Sequence, residues 1–295
     1  MNTELFSLSK IFTENLFRIP DYQRGYSWTE RQLKDFWSDL LLLDRGRDHY
    51  TGVLTLEQVS RPQYERWSDD LWIIQSKRFT PYYVVDGQQR LTTSLILLQS
   101  ILETAGEGGE LNYSTADEIR KKFLFESRDR GVSRSYIFGY EKDNPSYKFL
   151  KTKIFLEPSD HHSVDEETIY THNLQAAKKF FSAQIKNCDT SQLEAVFTKL
   201  TQHFLFNIYT ISGDIDVFVA FETMNNRGKP LSYLELLKNR LIFLSTRLSV
   251  DGTERSTWPK TWSHWPKAWS TWPKTWSRVP QGRSTWPKAW SRDAK

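Results

Sequence analysis

Apolar positions near the start of the chain recur twice at the spacing of an amphipathic helix. The first set predicts a helix over residues 3–16 and consists of Leu5, Leu8, Ile11, Phe12 and Leu16. Thr29, with Gln32 three residues later, has the pattern of a capping box and predicts the start of a second helix. The apolar positions of that helix are Leu33, Phe36, Trp37, Leu40 and Leu41.

Two segments rich in β-branched and aromatic residues follow, at residues 50–59 and 81–87, and each predicts a strand. The apolar run at residues 92–103 predicts a helix soon after the second strand. A strand therefore ends at Asp86, a turn takes Gly87, and a helix begins within a few residues.

Helical patterns dominate the next part of the chain, where three helices are predicted at residues 115–126, 166–187 and 189–201. HFLFNIYTI, at residues 203–211, predicts a strand. A polar turn at residues 225–228 then precedes a helix that Ser232 would cap. This order predicts an α+β fold with a predominantly helical second half.

Composition changes twice along the chain. The glycine-rich stretch at residues 106–109 predicts a boundary between a motif-bearing domain, residues 1–105, and a mainly helical region that completes it, residues 106–250. Residues 251–295 repeat a unit of about seven residues built on Trp-Pro-Lys, and the recurring prolines exclude a continuous helix or a central strand. We interpret this tail as non-native or disordered. The alternative is an adhesive segment that stacks on bases or inserts at a membrane surface.

Cysteine content and apolar runs indicate the class of protein. The single cysteine, Cys188, excludes a disulfide within the chain and a cysteine-based zinc site. The first residues lack the basic and apolar regions of a secretory signal, and no apolar run approaches the ~20 residues of a membrane span. We therefore expect a cytoplasmic protein that has no membrane partner.

The formal net charge of +4 comes from the tail. Residues 256–295 contain eight Lys or Arg and one acid, which leaves 32 of the 40 basic and 35 of the 36 acidic residues in the preceding part. That part has a net charge of −3. Any contact of this part with DNA must therefore come from a local basic patch and not from a general positive field.

Residues 84–93, VVDGQQRLTT, place hydrogen-bonding side chains between a predicted strand and a predicted helix. The free N–H groups and the dipole of a helix start favour a phosphate, and Arg90 offers paired donors for its oxygens. Gln88 and Gln89 offer amides, and Asp86 offers a carboxylate for a metal-bound water or a proton. These residues predict a nucleotide or phosphate site. The structural alternative is that Asp86 caps the helix, the glycine permits a turn, and the other side chains are solvated.

A second Gln-Arg pair, Gln23-Arg24, lies in IPDYQRGYSW at residues 19–28. This segment, DGQQRLTT at residues 86–93 and FETMNNRGKPLS at residues 221–232 resemble, in order, three motifs of the N-terminal domain of GmrSD-type modification-dependent restriction endonucleases. The matching positions are Ile19, Pro20, Tyr22, Gln23, Arg24, Tyr26 and Trp28, then Asp86 to Thr93, then Phe221, Asn225, Arg227, Gly228, Leu231 and Ser232. The resemblance covers about residues 5–248.

The resemblance implies a core related to the ParB and sulfiredoxin fold, and hydrolysis of a nucleoside triphosphate in defence against modified phage DNA. It assigns catalysis to Asp86, Gln88, Gln89 and Arg90. It assigns nucleotide binding to Gln23, Arg24, Gly87, Asn225 and Arg227. It also implies a Mg²⁺ ion that accompanies the nucleotide and is held by Asp86. For Asn225 and Arg227 the alternative is a turn in which Gly228 takes positive φ.

Larger members of the family carry a nuclease domain of the His-Asn-His type after this domain, and we expect this chain to lack it. The histidines of the body show no metal-ligand spacing on a common helix face. We therefore predict an NTPase sensor domain that needs a partner nuclease subunit. The alternatives are a ParB-like DNA-binding or nicking module, whose DNA binding would depend on salt but not on nucleotide, and an inactive truncated remnant.

Aromatic residues of the first motif have two interpretations. Tyr22, Tyr26 and Trp28 would stack on a base or surround a flipped base, or they would pack the loop onto the core. For Trp28, directly before the predicted Thr29 cap, a hydrophobic staple favours packing. Both interpretations stay open for Tyr26.

Overall fold

The computed structural model describes residues 4–44, 46–128, 133–142, 144, 146–157 and 168–211. All of these residues belong to one compact unit, residues 1–252. Helices and strands are both abundant and the main sheet is mixed, so the predicted α+β class is confirmed. The relation to the ParB and sulfiredoxin fold stays a prediction.

The strands are β1 (Leu5–Ser7), β2 (Asn15–Ile19), β3 (His49–Gln58), β4 (Thr80–Asp86), β5 (Glu110–Leu111), β6 (Ser114–Thr115), β7 (Phe125–Arg128), β8 (Ser133–Tyr136), β9 (Phe138–Tyr140) and β10 (Phe204–Ile211). The α-helices are α1 (Leu8–Ile11), α2 (Glu30–Leu42), α3 (Arg61–Tyr64), α4 (Leu71–Ser76), α5 (Gln88–Ala105), α6 (Ala116–Phe123), α7 (Ser146–Phe149), α8 (Ile169–Ile185) and α9 (Thr190–Thr198). Two π-helical turns follow α7 and α9, at Leu150–Ile154 and Lys199–His203.

Six strands form one mixed sheet in the order β1-β10-β3-β4-β2-β9. The pairs β10 with β3, β4 with β2, and β2 with β9 are parallel, whereas β1 with β10 and β3 with β4 are antiparallel. Strands β9 and β10, which follow the glycine-rich stretch at 106–109, therefore share a sheet with β1 to β4. The domain boundary predicted at that stretch stays a prediction.

Helix α5 lies inside the hydrophobic core and packs against α6, α8 and α9. Every residue from Leu91 to Leu102 is buried, so this helix has no solvent-facing stripe along its middle. Its buried hydroxyls donate to carbonyl oxygens one turn earlier, and these residues are Thr92, Thr93, Ser94 and Ser100. Within the described ranges, no helix is long and apolar enough to cross a lipid bilayer.

The helix predicted over residues 3–16 is wrong, because this segment forms β1, α1 and β2. Asn15 Nδ2 donates to the carbonyl of Ile11 at 2.9 Å where α1 ends, and Glu14 turns the chain with φ of +56°. Strand β2 lies between β4 and β9, and its residues Leu16 to Ile19 are all buried. The apolar residues of these three short elements happen to have the spacing of one amphipathic helix, which explains the wrong prediction.

The other predicted elements within the described residues are confirmed. The predicted strands correspond to β3, β4 and β10, and the predicted helices to α2, α5, α6, α8 and α9. Thr29 and Gln32 form the predicted capping box, in which the Thr29 N–H donates to Gln32 Oε1 at 3.0 Å. The turn predicted at residues 225–228, the helix after Ser232 and the repeat tail lie outside the described residues.

A buried ion pair joins β2 to the insertion between β3 and β4. Arg18 Nη2 and Nε donate to Asp70 Oδ2 at 2.5 and 3.2 Å, and Arg18 Nη1 donates to the carbonyl of Phe17 at 2.7 Å. Both side chains are buried, and the guanidinium lies over the ring of Trp67. Buried charges of this kind are tolerated only when both partners are present.

Asp70→Ala should lower the free energy of unfolding by about 3–5 kcal/mol, because Arg18 would stay buried without its counter-charge. Asp70 makes no side-chain bond to the start of α4, so the loss of a helix cap does not contribute. Urea denaturation measures the change. Glu30→Ala, which removes an exposed pair with Lys34, is the control and should leave the urea midpoint unchanged. Equal midpoints for Asp70→Ala and the parent would contradict the prediction.

Candidate functional site

Strand β4 ends at Asp86, and α5 begins at Gln88 with Gly87 between them. Gly87 occupies the N-cap position with φ of +95°, a conformation that L side chains rarely adopt. The structural alternative in which Asp86 caps the helix is therefore wrong. Gly87 has no side chain to cap the first turn, and no side chain of the described residues caps the start of α5.

Arg90 joins the first turn of α5 to β3. Its Nη1 donates to the carbonyl of Thr51 at 3.1 Å, and its Nη2 donates to the carbonyl of Val53 at 2.7 Å. The same Nη2 lies 3.3 Å from Asp86 Oδ2 and holds that carboxylate. These bonds position Arg90 and Asp86 together at the end of β4. Binding of a phosphate by Arg90 stays a prediction.

Gly52 makes this arrangement possible. Its φ is +129°, and a Cβ at this position would overlap Arg90 Nη1. The residue before it, Thr51, is the extra residue of a bulge, since Tyr50 and Gly52 pair with consecutive residues of β10. The sequence analysis did not select Gly52, although a glycine within a strand pattern indicates a bulge or a close approach.

The first and second motifs are joined by reciprocal glutamine contacts. Gln23 Nε2 donates to the carbonyls of Val84 and Val85 at 2.7 and 3.1 Å, directly before Asp86. Gln89 Oε1 accepts from the Ser27 N–H at 2.8 Å, and Gln89 Nε2 donates to the carbonyl of Gly25 at 3.2 Å. The expectation that Gln23 lies at the site of the second motif agrees with these contacts.

Two buried oxygens at this junction have no hydrogen-bond donor among the described residues: Gln23 Oε1 and Gln88 Oε1. The two residues are only 1% and 6% exposed. Buried acceptors are nearly always paired in folded proteins, so an unpaired one marks a place where a water or a ligand donates. Arg24 follows Gln23 with a half-buried side chain. Asn225 and Arg227 lie outside the described residues.

Three residues that the sequence analysis missed hold the first motif from the opposite side. Asn144 Nδ2 donates to the carbonyl of Gln23, and Asn173 Nδ2 donates to the carbonyl of Tyr26, both at 3.2 Å. Ser146 Oγ lies so close to Gly25 that a Cβ there would approach it to 2.5 Å. Only the Asn-Pro dipeptide at Asn144 gives a sequence signal, which is that of a turn.

The rings of the first motif pack the loop onto the core. Tyr26 is fully buried, and its hydroxyl donates to Thr93 Oγ1 at 2.7 Å, since Thr93 donates its own hydrogen to the carbonyl of Gln89. Burial raises the pKa of Tyr26, so the phenol stays neutral. Trp28 packs edge-on against Phe36 with ring centroids 6.0 Å apart. Packing is therefore confirmed for Trp28, and in this structure Tyr26 presents no ring face to a base.

Carboxylates surround Tyr22 on another side of the loop. Glu141 accepts from the Tyr83 hydroxyl at 2.7 Å and from the Asp21 N–H at 3.1 Å. Burial raises the pKa of Glu141 against the opposing effect of the Tyr83 hydrogen bond, and burial raises the pKa of Glu57. After burial, the charge of Glu57 is the largest effect that raises the pKa of Tyr22. These carboxylates disfavour an anion beside Tyr22.

A Mg²⁺ ion that accompanies a nucleotide needs few protein ligands, since phosphates and waters supply the rest. No group of three or more His, Cys, Asp or Glu residues suited to a metal occurs in the part of the chain that the structure describes. Asp86 is partly exposed at the end of β4 and is held by Arg90. This single carboxylate fits a nucleotide-borne Mg²⁺ but not a resident metal centre.

Gly52→Ala should lower the free energy of unfolding more than Gly46→Ala does. Both glycines have positive φ, but a Cβ at Gly46 meets nothing within 4 Å, whereas at Gly52 it meets Arg90. In an Arg90→Ala background the excess cost of Gly52→Ala should shrink by a coupling energy of about 0.5–3 kcal/mol, and the part due to backbone strain at φ of +129° should remain. Urea denaturation of the single and double variants measures this. An excess that is equally large without Arg90 would contradict it.

Glu57→Gln should raise the melting temperature at neutral pH, and the gain should vanish in acid. Because burial raises the folded-state pKa of Glu57, the folded protein binds this proton more tightly, and stability falls as pH rises from the unfolded towards the folded pKa. Glu118→Gln is a control of opposite sign, since hydrogen bonds from Thr115 lower the pKa of Glu118. Melting temperatures across pH should therefore diverge in opposite directions, and parallel curves would contradict the prediction.

Comparison with known protein families agrees with the geometry. Residues 3–242, more than half of the chain, match the family described as GmrSD restriction endonuclease, N-terminal domain. No curated protein matches the chain. The matched range contains both segments that meet at the start of α5. The chain therefore belongs to the family of the GmrSD restriction endonuclease N-terminal domain.

Proposed function

We propose that this chain binds and hydrolyses a nucleoside triphosphate as the sensor domain of a modification-dependent restriction system. The observation that carries the proposal is the meeting of the two motif segments, residues 19–28 and 86–93, through the reciprocal contacts of Gln23 and Gln89. Membership of a restriction endonuclease family supports the role in restriction.

The phosphates would lie at the first turn of α5. This helix has 18 residues, and its first N–H groups follow a glycine that leaves the helix end without a side-chain cap. The motif match also assigns Gly87 to close approach of the phosphates, and its missing Cβ lets α5 begin against Leu54 of β3. The carboxylates around Tyr22 would repel the phosphates and so favour the helix end over the other side of the loop.

The rest of the nucleotide would lie beside Gln23 and Gln88. Gln88 Oε1 has no donor among the described residues, and the amino group of a base or a ribose hydroxyl would supply one, whereas the Gln23 side chain also has a hydrogen bond with Tyr22. Arg24, beside Gln23, would add positive charge to the same site. We also propose Asn225 and Arg227 as nucleotide-binding residues. Only their match to the family motif supports this assignment.

Asp86 is the proposed catalytic carboxylate. It would hold Mg²⁺, which neutralises phosphate charge when the nucleotide is bound, and it would orient or deprotonate the attacking water. Arg90 fixes Asp86 through the 3.3 Å contact and fixes the start of α5 through β3. The amide of Gln89 is hydrogen-bonded to the loop of the first motif. Gln89 would therefore contribute to catalysis indirectly, by keeping the first motif in position.

Nucleotide hydrolysis would signal the presence of modified phage DNA to a nuclease. We propose that this nuclease is a partner subunit, and that the system acts in the cytoplasm, where phage DNA enters. The resemblance to GmrSD-type endonucleases, whose larger members carry a separate nuclease domain, supports this proposal.

Asp86→Asn should reduce phosphate release from GTP, ATP or UTP in the presence of Mg²⁺ by about 10²–10⁴-fold, because it removes the proposed proton acceptor and metal ligand. The full chain is used, with and without modified phage DNA. Asp117→Asn, on the exposed face of α6, is the matched control and should keep the parental rate.

Melting temperatures complete the experiment. Asp86→Asn should keep the parental melting temperature without nucleotide, because its pair with Arg90 is partly exposed. Two results would exclude the proposal: a folded parent with no turnover and no rise in melting temperature with nucleotide, or a parental rate in Asp86→Asn.

A further inference from the structure

Positive charge in the body of the chain is concentrated in one segment. Residues 120–153 contain ten Lys or Arg and four Asp or Glu, whereas residues 1–255 as a whole have a net charge of −3. A segment with six excess positive charges in an otherwise acidic body is where a local patch suited to DNA is expected.

Strands β7 and β8 lie within this segment and form a two-stranded antiparallel sheet of their own. We call residues 125–128 and 133–136 the basic ribbon. Phe125 pairs with Tyr136, and Arg128 pairs with Ser133, so alternate side chains point to opposite faces of the ribbon. Arg128 and Arg134 therefore lie on different faces.

On one face, Arg128 and Lys77 lie over the same indole. The Arg128 guanidinium and the Lys77 ammonium are 5.7 and 5.8 Å from the ring centroid of Trp72. Trp72 is fixed beneath them, because its Nε1 donates to Ser135 Oγ at 2.7 Å. Both cations therefore contact the same ring next to the ribbon.

On the other face, Arg134 and Lys151 are also supported by rings. The Arg134 guanidinium lies 4.3 Å from the ring centroid of Phe125, and the Lys151 ammonium lies 5.0 Å from that of Tyr136. A guanidinium stacked on a ring keeps its charge and its donor edge. Positive side chains therefore flank both faces.

Acidic neighbours only partly offset this charge. Glu126 pairs with Lys77 at 2.7 Å, and Asp69 pairs with Lys142 at 3.1 Å beside the ribbon. Within the described part of the ribbon, Glu126 is the sole acid, and its side chain is only 16% exposed. Arg128 is exposed, so the outward charge of the ribbon is positive.

We propose that the outer end of the basic ribbon, which carries Arg128 and Arg134, binds duplex DNA in the major groove, with these two residues on phosphates at its two sides. The inner end stays packed on the protein, where Ser135 and Tyr136 are buried. The major groove of B-form DNA admits a two-stranded β-ribbon, and cations on both faces of this outer end match its two phosphate walls. The proposal rests on the proposed function, in which DNA is the signal, and it assigns the surface that contacts DNA.

The test is a titration of a labelled B-form duplex with the full chain, followed by fluorescence anisotropy over a series of salt concentrations without nucleotide. The double variant Arg128→Gln/Arg134→Gln should bind at least ~10-fold more weakly, and its log–log salt slope should fall by about 2, one for each lost phosphate contact. Lys34→Gln/Lys186→Gln changes the net charge equally at exposed residues of α2 and the end of α8, and it should bind like the parent.

The single variant Arg128→Glu is included because loss of Arg134 could unfold the ribbon. Arg128 is exposed, and its replacement leaves the packing of Arg134 on Phe125 intact. It should weaken binding more than Arg128→Gln. A duplex RNA of the same sequence should bind more weakly, because its major groove is too narrow for a ribbon. Turnover without DNA should stay parental in every ribbon variant.

Three results would overturn the proposal: no binding by the parent at low salt, equal affinity and slope in both double variants, or RNA bound as tightly as DNA. The basic repeat tail is present in every protein compared, so DNA binding by the tail would produce the second result. Absence of nucleotide turnover would count against the proposed NTPase activity. The DNA titration would still test whether the basic ribbon binds DNA.

Discussion

The burial of α5 is the constraint on which the candidate site depends. A helix that is enclosed from Leu91 to Leu102 cannot shift or turn without opening the core, so its first turn has a fixed position. The polar residues of that first turn are also withdrawn from water, and each must find a partner within the protein or from a ligand. Gln89 and Arg90 meet this requirement through the Ser27 N–H and the carbonyls of β3.

Those partners are backbone groups, and this determines the shape of the surrounding segments. Carbonyls of Thr51 and Val53 accept from Arg90 at a point where β3 extends past its last pair with β4, and Gly52 has no Cβ to block the guanidinium. The loop of the first motif offers Gly25 and Ser27 to Gln89 because Asn144 and Asn173 hold it from the other side. The site is thus preorganised by contacts from several distant parts of the chain.

The proposed phosphate site at the start of α5 rests on the helix end and on the charges around it. The first turn of α5 has positive character and no side-chain cap, while Glu57 and Glu141 make the side near Tyr22 acidic. The basic ribbon carries the opposite charge and belongs to a separate small sheet. Under the two proposals, different elements recognise nucleotide and DNA, so that binding at one could be coupled to the other.

The sequence by itself determined the strand at residues 81–87, the helix after it, the capping box at Thr29 and the family, because these depend on local periodicity and on motifs. It misjudged residues 3–16, where three short elements share the spacing of one helix, and it left Tyr26 open. Only the tertiary structure decided that Tyr26 is buried, that Gly52 admits Arg90, and that Asn144 and Asn173 hold the motif loop. These contacts join residues far apart in the chain, and no local pattern encodes such pairings.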